Sequence, residues 1–284
     1  MKKIYFGING QFGDIIIQEP TLRKVIEMNP DSDIWMGAYK KYFEILELYK
    51  NYHPNIKGFI EWEKYTTRYE KDGSGNWPSE NDKKKIEEIN FDKMYEVSPI
   101  HKESDWVTKR HIVEELGNMY NIKIDNNKVN LNKPEHQKSD VKTAAISLFP
   151  SSWGWKGPRS ISIEKIKYIV SFLTQKGYKV LHLGGPGEPD IKGATKIKGS
   201  YIDSVKALLS TELLVTCDTG MSWIASAYNH PTIGLYSWAY NSPDGGSWLK
   251  NWKPINPNAS YLESKFADGI NVYNILYEIN KRIK

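Results

Sequence analysis

The chain has 284 residues, which at usual domain sizes means about two domains. With 39% hydrophobic and 26% charged residues and a net charge of +5, it is composed like an ordinary globular protein, and disordered or fibrous classes are excluded. Its one cysteine, Cys217, excludes an internal disulfide framework and a cysteine-based zinc site.

Residues 3–8 read as a short buried strand, followed by a glycine-rich turn, Gly7-Ile8-Asn9-Gly10-Gln11-Phe12-Gly13. Asp14 and Ile15, Ile16 and Ile17 open a helix reaching about Glu27, with Pro20 implying a kink or a true start near there. Asn29-Pro30-Asp31 is a turn and Asp33–Met36 begins a second strand. Strand, glycine turn, helix and strand form a βαβ unit, hence a parallel sheet. Residues 40–64 read as helix then strand, 66–85 as a mobile polar loop containing Lys83-Lys84-Lys85, and 105–120 as a helix. Residues 125–140 are polar, contain Pro134 and read as a linker.

The pattern then restarts. Thr143–Phe149 is an apolar strand, and Ser160 is positioned to cap a helix running to Gln175 and ended by Gly177. Tyr178–Leu183 is a strand, Asp203–Leu209 a helix, Glu212–Cys217 a strand, Met221–Tyr228 a helix and Pro231–Tyr236 a strand. A loop at 237–258 and an amphipathic helix over 268–283 close the chain. The expected domains are 1–140 and 141–266, both Rossmann-like, with 267–284 as a closing helix packing back toward the first. Two such domains would hold a ligand in a cleft facing the carboxyl ends of their strands.

Charge is uneven: residues 1–142 carry 23 basic and 24 acidic side chains, residues 143–284 carry 16 and 10. A small anion such as a diphosphate belongs more naturally on the second half, and a nucleic acid is a weaker expectation because its binders carry larger, clustered excesses. No apolar run approaches the roughly 18 residues a membrane span needs. The basic tip Met1-Lys2-Lys3 leads too short an apolar stretch for a signal peptide, so the expected compartment is the cytoplasm.

Several residues stand where chemistry could occur. Asp218-Thr219-Gly220-Met221 joins a buried strand to a helix whose first N–H groups and dipole favour an anion; Asp and Thr are also ordinary helix caps. Lys156 and Arg159 follow the first strand of the second half, where cations can neutralise a diphosphate leaving group or simply be solvated. Gly184 and Gly185 permit close approach of a nucleoside, and Glu188 could accept hydrogen bonds from ribose hydroxyls; a plain tight loop has the same composition. Asp14 ends the first βα turn and could act as a general base, or as a cap. Asp31-Ser32-Asp33 looks like a metal-binding pair but sits in a turn. Gly7, Gly10 and Gly13 do not match the dinucleotide fingerprint, and the six histidines have no metal-ligand spacing, so no metal is expected.

Taken in order, Gly13-Asp14 with three isoleucines, Pro20, Leu22 and Asn29-Pro30-Asp31, then Leu183-Gly184-Gly185 with Glu188, then Leu214 through Asp218-Thr219-Gly220-Met221 to Ala225, Ala227, Pro231-Thr232 and Leu235, resemble the heptosyltransferase-like glycosyltransferase family 9. The resemblance implies a GT-B fold and inverting, metal-independent transfer of a sugar from a nucleotide-diphosphate donor, such as ADP-heptose, to a hydroxyl. The implied acceptor is a lipopolysaccharide or other surface glycan, reached peripherally at the inner membrane face. It assigns Asp14 as base, Lys156 to the diphosphate, Glu188 to the ribose and Asp218 to Met221 to the phosphates or sugar; Gly13 and, by stacking, Trp223 could add donor contacts. The family commonly has His five residues after the later Asp, where this chain has Trp223, and its Lys-x-Trp-Pro order becomes Trp155-Lys156-Gly157-Pro158. Competing readings are a glycosyltransferase acting on modified DNA or protein, with Lys83 to Lys85 touching phosphates, and a non-catalytic nucleotide-sugar binding module.

Overall fold

The structure is a computed structural model that describes residues 1–8, 10, 12–63, 78–96, 111–150, 157–185, 187–237 and 251–283. It divides into two compact units, Met1–Lys133 and Pro134–Lys284.

The first unit holds β1 (Lys2–Gly7), α1 (Phe12–Ile17), α2 (Glu19–Met28), β2 (Ser32–Tyr39), a 3-10 turn at Lys40–Tyr42, α3 (Phe43–Lys50), β3 (Ile56–Trp62), α4 (Glu80–Glu88), β4 (Lys93–Tyr95) and α5 (Ile112–Met119). Its strands form one parallel sheet in the order β3-β2-β1-β4. Consecutive residues Ile4, Tyr5 and Phe6 of β1 are all buried, as a strand covered on both faces requires. The sheet order reverses beside β1, so the carboxyl ends of β1 and β4 flank a topological switch point.

The second unit holds β5 (Thr143–Ser147), α6 (Ile163–Gln175), β6 (Lys179–His182), β7 (Ala194–Lys196), α7 (Tyr201–Leu209), β8 (Leu213–Cys217), α8 (Gly220–Ala227), β9 (Thr232–Ser237), β10 (Ala259–Ser264), a 3-10 turn at Ala267–Gly269 and α9 (Val272–Arg282). Its six strands are parallel in the order β10-β9-β8-β5-β6-β7, the doubly wound Rossmann order, with the switch point between β5 and β8. Ala267, Ile270, Ile275 and Ile279 belong to the unit's hydrophobic core, so the closing segment is an integral part of this unit.

Several expectations need correction. Lys83, Lys84 and Lys85 are not in a loop. They lie on α4, which starts at a reciprocal cap: the Asp82 N–H donates to Ser79, and the Ser79 N–H donates to Asp82. Lys83 pairs with Glu80 and Lys85 with Glu63, all with exposed side chains. Residues 66–77 of that expected loop, 105–110 of the expected helix and 238–250 of the expected closing loop lie outside the described residues. Ser162, not Ser160, stands at the start of α6, because Asp268 accepts the Ser162 N–H at 2.8 Å. The expected linker is partly structural. Arg23 donates to the carbonyls of Asn126 and Lys128, the Asn130 N–H donates to Glu19 at 2.8 Å, and Val129 and Leu131 are buried. Strands β4, β7 and β10 were not expected.

Candidate functional site

In the first unit the site is built on a helix break. Pro20 has no N–H to continue the ladder from α1, so carbonyls at the end of α1 need other donors. The Tyr49 hydroxyl lies against the carbonyl of Ile15 and 2.9 Å from that of Ile16. Gln18, buried at the break, donates from Nε2 to the Asp14 carbonyl at 2.9 Å, and its Oε1 lies 3.1 Å from the Tyr120 hydroxyl. That hydroxyl also lies 3.0 Å from the Gly7 carbonyl at the end of β1, and its ring stacks on Phe6 at 5.0 Å. Burial holds the Tyr49 and Tyr120 hydroxyls well above the ordinary tyrosine range, so both remain protonated donors.

The result is a short α1 carrying Gly13 and Asp14, both partly buried, at the carboxyl end of β1. Gly10 has φ +101°, and a Cβ there would collide with the Asp14 side chain, so glycine is required for the carboxylate to sit over this turn.

Tyr49→Phe is expected to destabilise the protein by about 1–3 kcal/mol, the usual cost of leaving a buried acceptor unpaired. Urea unfolding checks it; an unchanged midpoint would show that the break does not depend on this hydroxyl.

In the second unit the site forms at the switch point. Ser147 ends β5, and its carbonyl accepts from Thr216 of β8 at 2.9 Å. The Thr219 hydroxyl lies 3.0 Å from that of Thr216 and 3.3 Å from that of Ser147. Thr219 stands at the N-cap of α8, yet its side chain does not cap the helix, and the first turn of α8 carries no acidic residue. Asp218 does not cap either. Its Oδ2 accepts from Arg159 Nη1 at 2.9 Å, in a pair whose side chains are 8% and 16% exposed. The helix start at Gly220 is thus edged by hydroxyls and by the Asp218–Arg159 ion pair, whose guanidinium has further N–H donors for an anion.

Buried Tyr236 donates to Ser222 at 3.1 Å; burial, then nearby Asp218, push its hydroxyl up. Cys217 is also buried, and the same two causes raise its thiol far above the reactive range, so it offers no nucleophile beside Asp218. Met221 and Trp223 are buried in α8.

A third cluster follows β6. Gly185 N–H donates to Glu188 Oε1 at 2.9 Å, and His182 Nε2 lies 3.1 Å from Glu188 Oε2. Lys196 Nζ donates to the Glu188 carbonyl, and Gly187 turns the loop at φ +87°. Within this unit the structure therefore groups Arg159, Asp218, Thr219 and Gly220, and separately Gly184, Gly185 and Glu188. Lys156 lies outside the described residues. Sequence reasoning missed Ser147, Thr216 and His182, whose only signal is their place at or near the carboxyl ends of strands.

Solved structures with this fold decide the architecture. ADP-heptose LPS heptosyltransferase II of E. coli matches with a TM-score of 0.70 at 14% identity, covering 100% of this chain and 98% of its own. The glycosyl transferase family 9 protein of Veillonella parvula matches at 0.68 and 15%, covering 99% and 97%. E. coli heptosyltransferase WaaC, solved with ADP, matches at 0.62 and 11%, covering 99% of each chain. The chain has the GT-B fold of the family 9 heptosyltransferases. No protein-family model and no curated protein sequence matches this chain.

Proposed function

We propose that the chain is an inverting, metal-independent glycosyltransferase that moves a sugar from a nucleotide-diphosphate donor of the ADP-heptose class to a hydroxyl of a surface glycan. The observation that carries this is the chemistry at the two switch points: a carboxylate, Asp14, at one, and a guanidinium beside a helix start without a side-chain cap at the other. The fold is shared with an ADP-heptose heptosyltransferase and with one solved with ADP, which favours an adenine nucleotide.

In this reading Asp14 takes the proton from the acceptor hydroxyl as its oxygen attacks the anomeric carbon from the face opposite the diphosphate. The bond from that carbon to the diphosphate oxygen breaks, and the electron pair leaves with the diphosphate. Arg159, the α8 amides and Lys156 stabilise the charge that develops. A guanidinium has five N–H donors, so holding Asp218 does not exhaust Arg159. Glu188 receives the ribose hydroxyls. With a lipid-linked glycan as acceptor the chain would work peripherally at the inner membrane face; among the described residues no helix is long and apolar enough to cross a membrane.

A thermal-shift panel of ADP, GDP, UDP and their sugars tests the donor, since a ligand that binds only the folded state raises Tm by mass action. An adenine nucleotide is expected to give the largest shift. Transfer in excess EDTA is expected to match transfer without it. No shift with any nucleotide would sink the donor assignment, and a strict need for added Mg²⁺ or iron would sink the metal-free mechanism.

A further inference from the structure

We propose that His182 is a positioning residue for Glu188, holding its carboxylate in the orientation that receives a ribose diol and so setting a preference for ribo- over 2′-deoxyribonucleotides. The inference rests on the reading of Glu188 as the ribose acceptor and adds a residue to it.

His182 is the last residue of β6 and is fully buried. Its ring centroid lies 5.6 Å from that of Phe149. Only one of its ring nitrogens is used among the described residues. Nε2 faces the Glu188 carboxylate at 3.1 Å, an acceptor, and so is the donor of that bond, while Nδ1 has no hydrogen-bond partner among them. Burying an unpaired polar nitrogen is unfavourable, so the ring's own bonding does not explain its presence. What the ring accomplishes is to present one N–H to Glu188.

The carboxylate is thereby gripped from two directions, by His182 at Oε2 and by the Gly185 N–H at Oε1. A carboxylate has about four acceptor sites, so one bond to each oxygen leaves capacity for two hydroxyls. Vicinal hydroxyls of a ribose can meet the two oxygens of one carboxylate, provided that it does not rotate.

A neighbouring residue carries independent evidence that this bond is built in. A Cβ on Gly184 would fall 2.5 Å from both His182 Nε2 and Glu188 Oε2. Gly184 is not among the glycines with positive φ, so glycine serves here for space and not for backbone freedom. The chain keeps this position empty where a side chain would split the His–Glu pair.

The test compares binding of ADP, GDP and UDP with their 2′-deoxy counterparts by titration calorimetry, for wild type, His182→Leu, His182→Gln, Gly184→Ala and Glu188→Gln. Wild type is expected to bind its preferred ribonucleotide about tenfold tighter than the deoxy form, the size of one hydrogen bond to a charged group. His182→Leu should bring that ratio to about twofold or less while leaving deoxynucleotide affinity near wild type, and His182→Gln, which can present an amide N–H, should recover part of it. Gly184→Ala should lower the ratio in the same way and decides the matter if His182→Leu does not fold.

A ratio at wild-type level in folded His182→Leu would overturn the inference; if Glu188→Gln loses the ratio in that case, the reading of Glu188 survives alone. Absence of ribonucleotide preference in wild type, or of nucleotide binding, would remove that reading and the inference with it.

Discussion

Replacing Asp14 with asparagine is expected to lower turnover by about 10²–10⁴-fold while leaving affinity for the donor's nucleoside diphosphate within about twofold of wild type, the pattern of a lost general base. Asparagine keeps the size of the side chain, so the turn over Gly10 and the clasp from Gln18 to the Asp14 carbonyl survive the change. The asparagine amide has no basic oxygen to take the acceptor's proton. Steady-state kinetics with saturating donor read the loss, and calorimetry with ADP reads the retained affinity. Near-normal turnover would take Asp14 out of the mechanism. Equal losses of turnover and ADP affinity would show that Asp14 serves the donor site instead.

The second large effect concerns Arg159. Arg159→Met is expected to cost about 3–5 kcal/mol of stability, because it strands the Asp218 carboxylate, 8% exposed, without its cation. If Arg159 also holds the diphosphate, as proposed, the same change should weaken ADP binding by at least about tenfold. The double variant Arg159→Met with Asp218→Asn separates these effects. Stability should return to near wild type once the stranded charge is gone, whereas ADP affinity should stay low. Urea unfolding and calorimetry on the three proteins check both halves. If the double variant regained ADP binding as well, Arg159 would be a partner for Asp218 and nothing more.

Much of the architecture was legible in the residues. The run from Ile4 to Ile8, the glycine turn and the isoleucines after Asp14 announce a buried strand feeding a helix, and Pro20 announces the break that divides α1 from α2. Strands β4, β7 and β10 carried no such signal. Two of them have three residues, and β10 reads Ala-Ser-Tyr-Leu-Glu-Ser at a sheet edge, where half-exposed positions blur the alternation. Ser160 and Ser162 could not be told apart by propensity. The choice is made by Asp268, 106 residues away, which takes the Ser162 N–H.

The same limit governs the site. Asp218 and Thr219 both read as helix caps, and neither caps α8, because Arg159 occupies the first and the hydroxyls of Thr216 and Ser147 draw in the second. His182 read as an ordinary strand residue, since its relation to Glu188 exists only once the loop between them has turned back.

The anchoring of residues 126–132 to α2 has a practical consequence for anyone wishing to prepare the first half by itself. A fragment ending at Asp125 would strip Glu19 of the amide of Asn130 and strip Arg23 of two carbonyls, leaving the fully buried Glu19 carboxylate to Arg23 and His53 alone. A fragment ending at Lys133 keeps that fastening whole, together with the bond from Asn132 N–H to the Leu48 carbonyl. Of the two fragments, the one ending at Asp125 is therefore expected to be the less stable in urea unfolding.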